Sequence, residues 1–231
     1  MSVRISVLAA ASAALLLALP AQALPLVTNG SFEANNPNGG KDYFGNGVIG
    51  WSGGGAYDFL DAPGTADKPY PGLLAVYPGF PTTSPDGGNF IQADGDPSFS
   101  SVHSQTINGL VPGTRYTLTF FQAAGQANGF PGPTTERWQV SLGGDTQLSS
   151  QYSLPQGGTG PWQAQAMTFA ASAASEVLSF LAVGTPQSAP PISFLDGVSL
   201  AQTVPEPVTL SLLGTGLVGV LALRRRAAPA A

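Results

Sequence analysis

Tyr116, Leu118 and Phe120 alternate with Arg115, Thr117 and Thr119, and Trp138, Val140 and Leu142 alternate with Arg137, Gln139 and Ser141. A period of two, filled with aromatic and β-branched residues, puts one face of a strand in a core and the other in water. Asn108-Gly109 and Pro112-Gly113 mark turns before the first of these segments, and Gly143-Gly144-Asp145 turns the chain after the second. Further strands are predicted at 26–33, 89–93, 162–170, 176–183 and 192–201. No stretch between residues 24 and 203 carries a helical period. With 30 glycines and 21 prolines punctuating short apolar runs, the pattern predicts an all-β domain of about eight strands, a jelly-roll β-sandwich. Two long segments, Gly39 to Gly88 and Gly125 to Thr135, are predicted to be loops, where binding residues tend to sit.

The two ends do not belong to that domain. Arg4 precedes an apolar run from Ile5 to Leu19, followed by Pro20 and Ala21-Gln22-Ala23. These are the parts of a secretory signal peptide over 1–23, which directs the chain to the Sec export machinery. At the other end Pro205-Glu206-Pro207 leads into the uncharged run Val208 to Leu223 and then Arg224-Arg225-Arg226. The run predicts one C-terminal transmembrane helix within 204–231, with its arginines on the cytoplasmic side. That tail resembles the PEP-CTERM sorting signal. The resemblance implies a Gram-negative host, transient anchoring in the inner membrane, and removal of the tail by an exosortase. The product would then sit at the cell surface or outside the cell, among extracellular polysaccharide and biofilm matrix.

The intervening 24–203 segment is long enough for one domain with a real core. It holds four basic residues (Lys41, Lys68, Arg115 and Arg137) against twelve acidic ones, which argues against a nucleic-acid partner. There is no cysteine and a single histidine, His103, so neither disulfides nor a cysteine- or multi-histidine zinc site is available.

Four separated landmarks resemble the galactose-binding-like jelly rolls, a superfamily that includes many carbohydrate-binding modules. They are Asn29-Gly30-Ser31-Phe32-Glu33, Gly50-Trp51, the stretch from Gln105 to Tyr116, and Leu195-Asp196-Gly197-Val198-Ser199-Leu200. The resemblance implies a structural calcium ion held by the opening and closing acids, here Glu33 and Asp196. Calcium takes 6–8 oxygen ligands, which carboxylates and loop carbonyls can supply. Asp94-Gly95-Asp96 is a weaker calcium candidate and reads first as a surface turn.

For a carbohydrate ligand, the loop aromatics Tyr57, Phe59, Tyr77, Phe80 and Phe130 are the candidates for stacking on sugar rings. Trp51, Trp138 and Trp162 lie at or beside strands and read as core. No catalytic residue is assigned. His103 lacks a nucleophile elbow around any serine, and among the acids only Glu136, near Trp138, stands out. The expected function is non-catalytic binding or structural work in the polysaccharide matrix. A structural protein without a ligand and a glycan-active hydrolase are its rivals.

Overall fold

The structure is a computed structural model that describes residues 25–68, 74–187 and 189–203. The signal-peptide segment and the sorting tail, with Pro205, Glu206, Pro207 and Arg224 to Arg226, lie outside the described residues. Among the described residues no helix is long and apolar enough to cross a membrane.

Alternating sequence becomes alternating burial. The strands are β1 (Lys41–Tyr43), β2 (Ser52–Gly53), β3 (Phe59–Asp61), β4 (Phe90–Asp94), β5 (Val102–Asn108), β6 (Arg115–Gln126), β7 (Thr134–Leu142), β8 (Asp145–Leu148), β9 (Tyr152–Leu154), β10 (Thr159–Ala170), β11 (Ser175–Thr185) and β12 (Pro191–Gln202). One sheet runs β1-β3-β4-β12-β6-β10 and the other β2-β5-β11-β7-β8, with β9 also on β7. All pairings are antiparallel. This is the jelly-roll β-sandwich read from the sequence. The β7–β8 hairpin places Leu142 opposite Asp145, so its loop is the two residues Gly143-Gly144. Gly143 has φ 57° there, a conformation that glycine adopts without steric cost.

Two cores result. Between the sheets, Trp51, Tyr116, Leu118, Phe120, Trp138, Val140 and Phe180 form one cluster. The second lies on the other face of the first sheet, where Ala66, Val76 and Phe80 cover Phe90, Ala123, Ile192 and Phe194. Phe80 stacks on Phe194 with ring centroids 3.9 Å apart. The stretch predicted as a loose loop thus supplies three short strands and a lid over the sheet.

Residues 26–33 depart from their predicted strand and form turns. Asn29 and Phe32 take left-handed φ values of 50° and 60°. The Asn29 side chain accepts from the Ala34 amide at 3.0 Å and donates to the Ile49 carbonyl at 2.9 Å. Such local bonds let asparagine replace a strand ladder with a turn. Tethering to the sandwich comes instead through Gln105, which bonds Thr28 on both sides at 2.7 and 2.8 Å.

Candidate functional site

Loops gather at the end of the sandwich where β4, β6 and β11 finish. There Tyr57, Leu74, Asp94, Phe99, Phe130, Gln187 and Pro190 line a cleft of about 280 Å³. Tyr57, Phe99 and Phe130 are 38%, 47% and 37% exposed, unusual for aromatics in a protein with two filled cores. The Tyr57 and Phe99 rings meet edge to face at 5.1 Å. Tyr77 is half-buried, and its hydroxyl donates to the Phe130 carbonyl at 2.9 Å. It braces the cleft wall without lining the cleft. Gln187 donates to the Ser98 hydroxyl and so holds its loop to the one carrying Phe99.

Two of the predicted sugar-stacking residues are not available for that role. Phe59 is fully buried and Phe80 is 3% exposed. Phe59 lies on β3, beneath the Lys41 ammonium at 5.2 Å. Phe80 is committed to the second core. Both sit in a stretch whose glycines and prolines read as loop, so sequence alone did not show that the segment folds back over a sheet. Phe99, Asp94 and Gln187, in turn, had no periodic signal and become neighbours only through topology.

The polar side of the cleft is acidic. Asp58, Asp94 and Asp96 are all buried, which overturns the surface-turn reading of Asp94-Gly95-Asp96. Asp58 accepts from the Asp94 amide at 3.1 Å and the Gly55 amide at 2.6 Å. It also accepts from the Ser101 hydroxyl. Asp94 accepts from the Asp96 amide, and Asp96 from the Ser98 amide, each at 2.8 Å. The other Asp96 carboxylate oxygen is buried without a hydrogen-bond partner. Burial pushes the Asp94 carboxyl up to about 7, reinforced by the charges of Asp96 and Asp58 and opposed by the Asp96 amide.

His103 lies behind this group, 3.4 Å from Asp58, edge-on to Phe44 at 4.5 Å. Burial holds its imidazole below its usual range against the pull of Asp58. Ser101 and His103 both turn toward Asp58, an arrangement that activates no nucleophile. Glu136 is buried beside Thr134, with its carboxyl pushed by burial up to about 8.

The Glu33 charge reaches Asp196 and adds to the upward push on that carboxyl. The β12 strand is irregular opposite β6 between Asp196 and Ser199, at Gly197 with φ 59°. At this irregularity the Asp196 carboxylate stays fully buried. One Asp196 oxygen accepts from the Gly197 amide at 2.7 Å, and the other is buried with no hydrogen-bond partner. Burial pushes this carboxyl up to about 8, and Asp86 and Glu33 add like charge. Glu33 accepts from the Asn89 amide. Among the described residues no three acidic or imidazole side chains converge closely enough to hold a metal ion between them. The Asp196 oxygen without a hydrogen-bond partner is the atom that a cation at this place would take up.

Asp61, Asp94, Glu136 and Asp196 therefore share one direction, with folded-state values of about 7, 7, 8 and 8 against 3.8 or 4.5 in the open chain. Between those limits the folded state binds more protons than the unfolded one, so stability is greatest toward the acid side and falls as pH rises to about 8. His103, with the opposite shift, offsets part of this below its ordinary value of 6.5. Thermal melts in chelator should give a midpoint at pH 6 at least about 4 °C above that at pH 8, on the order of 1 kcal/mol or more. Equal midpoints would mean that these carboxyls are not buried as described.

A sequence profile of the HpiC1-like family, described as HpiC1 cyclase, matches residues 23–181. The PEP-CTERM protein-sorting motif matches residues 203–226. No curated protein matches. Among solved structures, TmCBM61 in complex with beta-1,4-galactotriose is similar at 16% identity and a TM-score of 0.46, over 78% of this chain and 100% of that one. The K1 cleaved adhesin domain of Lys-gingipain from Porphyromonas gingivalis W83 is similar at 12% identity and 0.42, over 71% and 98%. A family 16 carbohydrate-binding module is similar at 16% and 0.36, over 76% and 99%. Likenesses of this strength say nothing about ligand.

Proposed function

The chain belongs to the HpiC1-like family, and on that premise we propose that it is an exported, exosortase-sorted surface protein whose sandwich binds glycan in the aromatic cleft without catalysing a reaction. The PEP-CTERM motif at 203–226 supports the sorting. The observation that carries the binding is three exposed aromatic side chains around one acidic, hydrogen-bonding floor. Sugar rings offer apolar C–H faces to stack on such rings and hydroxyls to satisfy Asp94 and Gln187. The partner is extracellular polysaccharide, and the place of action is the matrix around the cell.

The test is co-sedimentation of the full chain, in non-ionic detergent, with the host's extracellular polysaccharide. Saturable pelleting is expected, and Tyr57→Ala and Phe99→Ala should each weaken it about tenfold, the effect of losing one anchoring aromatic. No pelleting above a control protein would leave a purely structural role.

Calcium, where bound, would be held by Glu33 and Asp196 and would supply the positive charge that ties the opening turn to the last strand. A hundredfold excess of calcium over its Kd stabilises a site by roughly 2.7 kcal/mol, about 5–10 °C for a domain of this size. That rise should vanish in chelator and in Glu33→Gln. A melting curve indifferent to calcium would remove the ion from the protein.

One observation favours a second reading, a cyclase. The family carries that description, and a carboxyl raised to about 7 beside aromatic walls suits a proton donor for ring closure in an apolar substrate. Product formation lost in Asp94→Asn while polysaccharide pelleting persists would favour it.

A further inference from the structure

We propose that the aromatic cleft is a receptor for an organic cation, an ammonium group enclosed by the rings of Tyr57, Phe99 and Phe130 and neutralised by the carboxylate of Asp94. The inference rests on the cleft being the binding site proposed above and names what the site selects. Aromatic faces carry negative potential and attract alkylammonium groups, more strongly where water is excluded. Here three such rings line one cleft together with a carboxylate.

The charges around that carboxylate all favour a cation. Asp96 and Asp58 pack against Asp94, and one Asp96 oxygen is buried with no hydrogen-bond partner. Among the described residues no lysine or arginine lines the cleft. Lys41, whose ammonium donates to the carbonyl of the cleft-lining Leu74 at 2.7 Å and to Gln92 at 2.9 Å, pairs with Asp61 at 3.5 Å. His103 faces Asp58 and is held neutral by burial. An anionic ligand would meet the Asp94 carboxyl, with the charges of Asp96 and Asp58 behind it. A metal ion would meet carbon on most sides, where it needs oxygen. At about 280 Å³ the space is at the small end for ligand pockets. It suits one amino-sugar residue or a small alkylammonium headgroup.

Calorimetric titration of the full chain, in non-ionic detergent at pH 7, would use four probes: glucosamine, N-acetylglucosamine, galactose and choline. A cationic probe should bind at least tenfold more tightly than both neutral sugars. Asp94→Asn should erase that preference, and Phe99→Ala, at an exposed position that leaves the fold intact, should weaken cation binding about tenfold. Choline keeps its charge at every pH, so its affinity should fall from pH 8 to pH 6 in the wild type, as Asp94 gains a proton, and stay level in Asp94→Asn. Glucosamine binding would place the ammonium on a sugar. Choline binding without glucosamine would keep the cation site and displace the glycan reading. Neutral sugars binding as tightly as glucosamine would overturn the cation inference and leave glycan binding intact. If no probe binds and polysaccharide pelleting is also absent, both fail.

Discussion

Trp138→Ala should lower the unfolding free energy by about 3–5 kcal/mol, a large share of the 5–15 kcal/mol that holds a typical domain together. Trp138 is fully buried, edge-on to Phe180 at 5.9 Å and to His103 at 6.0 Å. Its indole N–H donates to the Phe194 carbonyl at 3.0 Å, and Phe194 lies on the opposite sheet. One side chain therefore fills the inter-sheet core and bonds across it. Trp138→Phe would keep much of the packing while losing that cross-sheet hydrogen bond, at about 0.5–1.5 kcal/mol. Tyr57→Ala should move stability by less than about 0.5 kcal/mol, as exposed sites do. Urea titrations of the three variants test the ordering. A Trp138→Ala loss under about 1 kcal/mol would mean that the tryptophan is not the cross-sheet pin described here.

The contrast between Trp138 and Tyr57 also marks how far sequence can be read. Strands β7 and β11 and the first half of β6 were legible because period-two alternation of burial runs through them, whereas β10 alternates only from Met167 on and the far half of β6 and the near half of β12 are buried on both faces. Residues 26–33 misled because apolar Val27 and Phe32 are buried from turns rather than from a ladder. Their partners Gln105 and Val198 are distant in sequence. The second core was illegible for a related reason. Ala66, Val76 and Phe80 are spaced by glycine and proline and have no period, and only the fold shows that they cover Phe194.

For the cleft, Tyr57 and Phe130 could be singled out as loop aromatics, but so could Phe59 and Phe80, and exposure is a tertiary property. The acidic floor was hidden twice over. Asp94 and Asp96 flank a glycine, which reads as a turn in water. Asp58 is 36 residues from Asp94 along the chain, and nothing local links the two. That the Glu33 charge reaches Asp196 has no local signal in the sequence, and only a resemblance to a family pattern points to the two acids together.

Lys41 carries the second large effect, and no feature of the sequence sets it apart from the other basic residues. Its side chain is fully buried, as is that of Asp61, with the ammonium 3.5 Å from the carboxylate. The ammonium donates to the Leu74 carbonyl and to Gln92, so it ties the chain that lines the cleft to strand β4. Burial lowers the Lys41 pKa against the pull of Asp61, and burial raises Asp61 to about 7 against the pull of Lys41. Desolvation thus opposes the attraction on both partners, and a neutral replacement of the pair is tolerable where a single replacement is not. Lys41→Met should cost about 3–5 kcal/mol, because it strands a buried carboxyl and removes the donor to the Ala66, Leu74 and Gln92 acceptors. Lys41→Met combined with Asp61→Leu should recover most of that loss, ending within about 1–2 kcal/mol of the wild type. Urea unfolding of the four members of this cycle measures the coupling directly. If the two losses simply add, the pair does not interact, and the wall of the cleft at Leu74 must be held by something other than this lysine.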